Sequence, residues 1–224
     1  MRTKGPILTL LAVVVLALIL LAVNLTTKSA TSQTAQNAPV APPVAAAPPA
    51  VAPAPAVADP ANPFPAQATY TGKTSGRKVG EASVAVAVHD GKASAYLCDG
   101  KKLESWLDGR AEGSSLRLTG KNGSELTATL QDGHLIGDVS VNGASWGFSA
   151  TPGKGPAGLY RARNGNADAG WIVYPNGQQT GVQDIGGDAS EAPVLDPAAG
   201  SAVLGGTAVP VTTIQGGDAA TVGR

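Results

Sequence analysis

The chain has 224 residues, with 16 Lys+Arg balanced by 16 Asp+Glu and only 14% charged residues overall. A zero net charge offers no basic field to neutralise phosphates, so nucleic acid is not expected as a partner. The hydrophobic content of 43% with only 4% aromatics argues against one large core, because much of it sits in a greasy N-terminal run and an alanine-rich stretch.

The first element is the run Ile7 to Val23, ILTLLAVVVLALILLAV, preceded by Arg2 and Lys4. A membrane span needs about 20 apolar residues, with a lower limit near 17. A cleavable signal has a shorter apolar region, about 7–15 residues, and a small-residue cleavage site. No convincing A-x-A site follows here. Residues 1–28 are therefore read as a cytoplasmic N-terminus and a signal-anchor helix, meeting the lipid bilayer through residues 7–25. Secretion after cleavage is the alternative. Cys98 is the one cysteine and lies far from this run, so a lipid-anchored terminus is excluded. Basic residues ahead of the span keep the N-terminus in the cytoplasm and place the remainder of this single-pass chain outside.

Residues 29–68 change character abruptly. Ser, Thr and Gln give way to PVAPPVAAAPPAVAPAPAVADPANPFP. Proline removes helix hydrogen bonds and favours extended polyproline II. About forty such residues reach roughly 120 Å. The segment reads as a disordered spacer.

Residues 69–185 read as the folded head. Asp90-Gly91, Asp99-Gly100, Asp108-Gly109, Asn122-Gly123, Asp132-Gly133, Asn142-Gly143, Asn164-Gly165 and Asn176-Gly177 recur at intervals of mostly about ten residues. Such pairs suit the two positive-φ centres of a tight hairpin. Between them, residues alternate with period two. Val84, Val86 and Val88 alternate with Ser83, Ala85 and Ala87; Ala93, Ala95 and Leu97 alternate with Ser94 and Tyr96. Leu116 and Leu118, Leu126 and Leu130, Leu135 and Val139, and Trp146 and Phe148 extend the pattern. Each piece is a strand with one apolar face. The fold class is all-β: a small antiparallel meander closed as a barrel or a rolled sheet, since closure removes exposed edges. A two-layer β-sandwich is the alternative. Residues 186–224, rich in Gly and Ala and without aromatics, read as a mostly disordered tail, with a strand at 208–214 left open.

No constellation of reactive residues stands out. Gly143-Ala144-Ser145-Trp146-Gly147 has the letters of a nucleophile elbow, yet it follows a hairpin turn and continues as strand, where the elbow needs a helix. Gly72-Lys73-Thr74 lacks the partner glycine of a phosphate loop, since position 67 is Gln67. His89-Asp90 and Asp132-Gly133-His134 read as solvated turns; zinc asks for three or four converging ligands. No catalytic, cofactor-binding or metal residue is assigned, no cofactor is expected, and an enzyme is not the favoured class. Cys98 is read as a buried small apolar residue, with an intermolecular disulfide and a homodimer as the alternative. Trp106 and Trp171 are the candidate ligand contacts, because exposed aromatics on a β-surface stack on sugar rings; core packing is the competing assignment.

The segments AYLCDGKKLESWLDG, GLYRAR and GWIVYPNGQQTGV resemble a small exported domain of unknown function found in actinobacterial proteins, where it follows an N-terminal anchor and an Ala/Pro/Thr linker. The resemblance covers about Tyr70 to Val182. It implies an envelope location and carries no catalytic residues. The functional expectation is a membrane-tethered extracytoplasmic β-module that binds a cell-envelope glycan, lipid or protein. The alternative is an accessory or structural subunit of a membrane protein complex.

Overall fold

The computed structural model describes residues 62–76 and 80–218. The signal-anchor reading and nearly all of the Ala/Pro-rich spacer fall outside these residues. Among the described residues, no helix is long and apolar enough to cross a membrane.

Eight antiparallel strands form a closed barrel in simple meander order. They are β1 (Gln67–Ser75), β2 (Ser83–His89), β3 (Lys92–Cys98), β4 (Glu104–Glu112), β5 (Ser115–Gly120), β6 (Glu125–Gln131), β7 (His134–Val141) and β8 (Ala144–Pro152). Pairing of β1 with β8, from Tyr70↔Pro152 to Ser75↔Gly147, closes the ring. Asp90-Gly91, Asp132-Gly133 and Asn142-Gly143 form two-residue turns in which both residues have positive φ. That backbone matches the right-handed twist of the flanking strands. The inward residues of the alternation fill the barrel: Val84, Val86, Leu97, Leu107, Leu126 and Leu135 are fully buried, beside Trp146 and Phe148. Burying each such large side chain stabilises the fold by about 1.5–3 kcal/mol.

Not every pair in the turn series is a hairpin turn. Asn164 ends β9 opposite Ala167, so the turn there is Gly165-Asn166. Asp108-Gly109 lies inside β4, with Gly109 opposite Leu118 of β5. The β4–β5 turn comes instead at Gly113, which has φ 56. A Cβ at Gly109 would crowd the Arg117 carbonyl and the Leu118 Cα of the next strand. Glycine is there for close backbone approach, not for a hairpin.

A second sheet follows: β9 (Gly158–Asn164), β10 (Ala167–Val173), β11 (Gln179–Ile185), β12 (Asp188–Glu191), β13 (Ser201–Leu204) and β14 (Thr207–Ile214). Its spatial order is β12-β11-β10-β9-β14-β13. The chain runs outward from β9 to β12, then returns to place β14 on the free side of β9, from Val211↔Ala162 to Ile214↔Leu159. The head is thus a barrel plus a separate half-rolled sheet, and its strands extend to residue 214.

The reading of 186–224 as mostly disordered is corrected by β12, β13 and β14. These strands carry few large residues, but the earlier strands supply the surface they bury. Leu195, Ala202, Leu204 and Val209 pack on Tyr160, Ala162, Ala169 and Trp171. Gln179 clasps the backbone of Leu195 with both ends of its amide, at 2.9 and 2.7 Å. Gly186-Gly187 and Gly205-Gly206, all at positive φ, turn the chain between these strands. The strand left open at 208–214 is present as β14.

The other face of the second sheet lies on the barrel. Leu159, Ile172, Val182 and Ile214 pack on the outward residues Ala85, Ala87, Tyr96, Cys98 and Trp106 of β2, β3 and β4. The strands β2 and β3 are therefore buried on both faces, where the alternation predicted one. Small outward residues explain how: Ala85, Ala87 and Ser94 let a second sheet approach closely.

Candidate functional site

The two tryptophans singled out as ligand contacts are both buried. Trp171 is 1% exposed, and its indole Nε1 donates to the Pro193 carbonyl at 2.8 Å. That ring belongs to the core of the second sheet. Trp106 sits opposite Tyr96 in the β3–β4 register. Their rings stack at 4.2 Å with 28° between planes. The Arg161 guanidinium lies 4.8 Å from the Trp106 ring centroid, a cation–π contact. Only an edge of Trp106 remains, on the wall of a cavity of about 200 Å³ that Lys121, Asn122 and Asn142 also line.

Beside that tryptophan a cluster of charged side chains lies on the second sheet. Arg161 is 5% exposed. Its Nε donates to Asp168 Oδ1 at 2.8 Å and its Nη2 to Asp168 Oδ2. Arg163 donates to the same Oδ2 through Nε and Nη2, at 2.9 and 2.8 Å. Burial works to raise the Asp168 carboxyl, but the two guanidiniums outweigh it and hold the group below its ordinary value. On the barrel side of the seam, Tyr96 donates its hydroxyl to Glu104 Oε2 at 2.8 Å. Burial raises the Glu104 carboxyl, against the Tyr96 hydrogen bond and Arg161. Desolvation drives the Tyr96 phenol well above its ordinary value. The ion pairs bind β9 to β10 within the second sheet; what crosses to the barrel is the Arg161 guanidinium on Trp106 and the Tyr96 hydroxyl, 3.5 Å from the Gly170 carbonyl of β10.

Cys98 lies in the same seam, fully buried between β3 and the second sheet. Burial pushes its thiol up to about 12. A disulfide with a second chain would require the sheet to lift off the barrel. The native protein is expected to resist a thiol reagent such as DTNB at pH 8 and to react fully in denaturant. Stoichiometric labelling within minutes under native conditions would overturn the buried assignment.

The remaining motif residues are dispersed. His89 Nε2 is 3.8 Å from Asp90 Oδ2, with both side chains largely exposed. His134 is exposed at the start of β7, opposite Gln131. Among the described residues, no three His, Cys, Asp or Glu side chains gather as a metal site. Ser145 is exposed on β8. Lys73 pairs with Glu81 at 2.6 Å on the surface.

A large depression lies elsewhere, on the outer face of β4–β7, which the second sheet leaves uncovered. It has a volume of about 690 Å³. Its walls are outward residues of the strand alternation: Asp108, Arg110, Glu112, Arg117, Thr119, Thr127, Thr129, Ile136 and Asp138. Beneath them lie Gly109 and Gly137. At both glycines the missing Cβ lets a neighbouring strand's backbone come close, so the strands coil tightly there.

Register places Arg110 directly opposite Arg117, Arg117 opposite Thr127, and Thr127 opposite Asp138. Lys92 stands opposite Arg110 on the other side. A row of three cations thus crosses β3, β4 and β5. Like charges facing each other across a ladder are destabilising. Among the described residues, neither Arg110 nor Arg117 forms an ion pair. Ile136, 44% exposed, contributes an apolar patch next to Thr129.

The sequence reading did not bring these groove residues together, and it placed Asp108 in a turn. The available signal was the run of outward Arg and Thr in LRLTG and LTATL, together with a glycine at an inward position of β7. No protein-family model, no curated protein and no solved structure matches this chain.

Proposed function

We propose that the barrel-and-sheet body is a non-catalytic binding module of the bacterial cell envelope. A signal-anchor span holds it to the membrane, and an Ala/Pro-rich spacer carries it outward. The ligand is taken in the groove over β4–β7. The observation that supports this is the groove itself: a large uncovered depression lined by hydrogen-bonding and charged side chains. The test is retention. Full-length protein in mild detergent is incubated with purified cell-wall sacculi and with envelope membranes. Retention well above a control protein is expected; none on any envelope fraction would overturn the proposal.

The second reading is an accessory subunit of a membrane protein complex. The observation favouring it is the rim of the second sheet. Val194 is 87% exposed and Val203, on edge strand β13, is 58% exposed. A strand edge beside bare valines suits a protein partner. Crosslinking before extraction would then yield a defined larger species.

A further inference from the structure

We infer that the β4–β7 groove recognises an acidic saccharide, a hydroxyl-rich chain carrying spaced negative groups, through the facing pair Arg110 and Arg117. This inference rests on the binding-module reading and names the ligand class of the same groove.

Three features of the groove carry it. The first is the facing guanidinium pair, which lacks an acid partner among the described residues. Arginines opposite each other on adjacent strands, whose backbones run roughly 5 Å apart, present forked donors suited to one carboxylate or phosphate. An anion seated between them would relieve their mutual repulsion. The second is the hydroxyl wall of Thr119, Thr127 and Thr129, groups that exchange hydrogen bonds with sugar hydroxyls in either direction. The third is the acidic rim. Asp108 and Glu112 flank Arg110 on β4, Asp108 accepting from Ser94 at 3.3 Å, while Asp138 stands two strands beyond Arg117, past Thr127.

The rim decides between ligand classes. A densely charged polyanion would meet Asp108, Glu112 and Asp138 as soon as it extended beyond the arginine pair, and like charges repel. A saccharide with one acid group per unit avoids this. Its acid group sits on the arginines, and its neighbouring hydroxyls donate to the rim carboxylates. Ile136 offers the apolar contact for a ring face.

A carboxylated polysaccharide and a glycerol-phosphate polymer share this chemistry. The experiment measures binding of the full-length chain, in mild detergent, to polygalacturonate, to poly(glycerol phosphate) and to neutral dextran. One of the acidic polymers is expected to bind at least about tenfold more tightly than dextran, with affinity falling as salt rises. The R110Q/R117Q double variant should lose roughly tenfold or more. A K101Q/K102Q control, in the exposed loop before β4, should bind like the wild type. Both arginines are exposed, so a melting temperature no lower than that of the wild type verifies the fold. Acidic polymers no better than dextran, or a double variant that binds as well as the wild type, would overturn the inference. If sacculus retention survives in the double variant, the binding-module proposal stands and the acidic-saccharide assignment fails. If the wild type is not retained at all, both fail.

Discussion

Gly137→Val is expected to be the most damaging single substitution in the barrel, costing about 3 kcal/mol or more. Gly137 points inward from β7 and pairs with Ala128 of β6. An added Cβ would lie 2.6 Å from both the Ala128 Cα and its Cβ, with the Thr127 carbonyl closer still. These are mostly backbone atoms of the adjacent strand, so no side-chain rotation relieves the clash. β6 and β7 would have to separate, breaking a ladder that runs from Glu125↔Ser140 to Gln131↔His134. For a domain of this size such a loss lowers the melting temperature by roughly 6–12 °C. Gly133→Ala is the comparison: its glycine has φ 80 and nothing within 4 Å of the added Cβ, so only turn strain of about 1 kcal/mol is expected. Thermal melts followed by tryptophan fluorescence separate the two. Equal, small shifts would show that close strand approach at Gly137 is not what closes the barrel.

Arg161→Ala is expected to destabilise the protein by about 3 kcal/mol, the lower part of the range for breaking a buried pair. The charge left behind, Asp168, keeps Arg163, whose side chain is 38% exposed. The substitution also strips the guanidinium from the Trp106 ring. Arg161→Met should restore part of the loss by refilling the space over the indole.

The pH dependence has a definite sign. The folded Asp168 carboxyl titrates below its ordinary value. Its pairing therefore stabilises fully above the unfolded carboxylate pKa, about 3.9, and is lost as pH falls through the lower folded value. Glu104 acts oppositely. Its folded carboxyl is raised, so the charged form costs stability above that value, and acidification relieves the cost. Without Arg161, burial acts on both carboxyls with less opposition. The gap in melting temperature between wild type and Arg161→Ala should therefore narrow from pH 7.5 to pH 5. A gap that stays constant would mean that packing alone, not charge, explains the variant.

The barrel was legible because its signals are local. Asp132-Gly133 turns the chain whatever surrounds it, since both residues tolerate positive φ. The alternation of Leu126, Ala128 and Leu130 with threonines assigns an inside and an outside from neighbours two residues apart. Asp108-Gly109 misled for the same reason: its letters match a turn, but the close approach of Leu118 on the next strand makes that glycine necessary. Trp106 and Trp171 read as ambiguous because alternation says which side a residue faces and not what covers that side.

Period-two patterning and turn dipeptides thus sufficed for an all-β head built as an antiparallel meander, because backbone geometry over a few residues dictates both; they ranked a closed barrel ahead of a sandwich without deciding it. The second sheet stacking on β2 and β3, the burial of Cys98, the ordering of 188–214 and the groove over β4–β7 arose only when distant strands met. Each depends on surface supplied by residues far along the chain: β10 for the tail, β9–β11 for the outer face of β3, and β6 for the space that Gly137 vacates. Burial is a property of pairs of surfaces, and one strand's pattern carries only half of each pair.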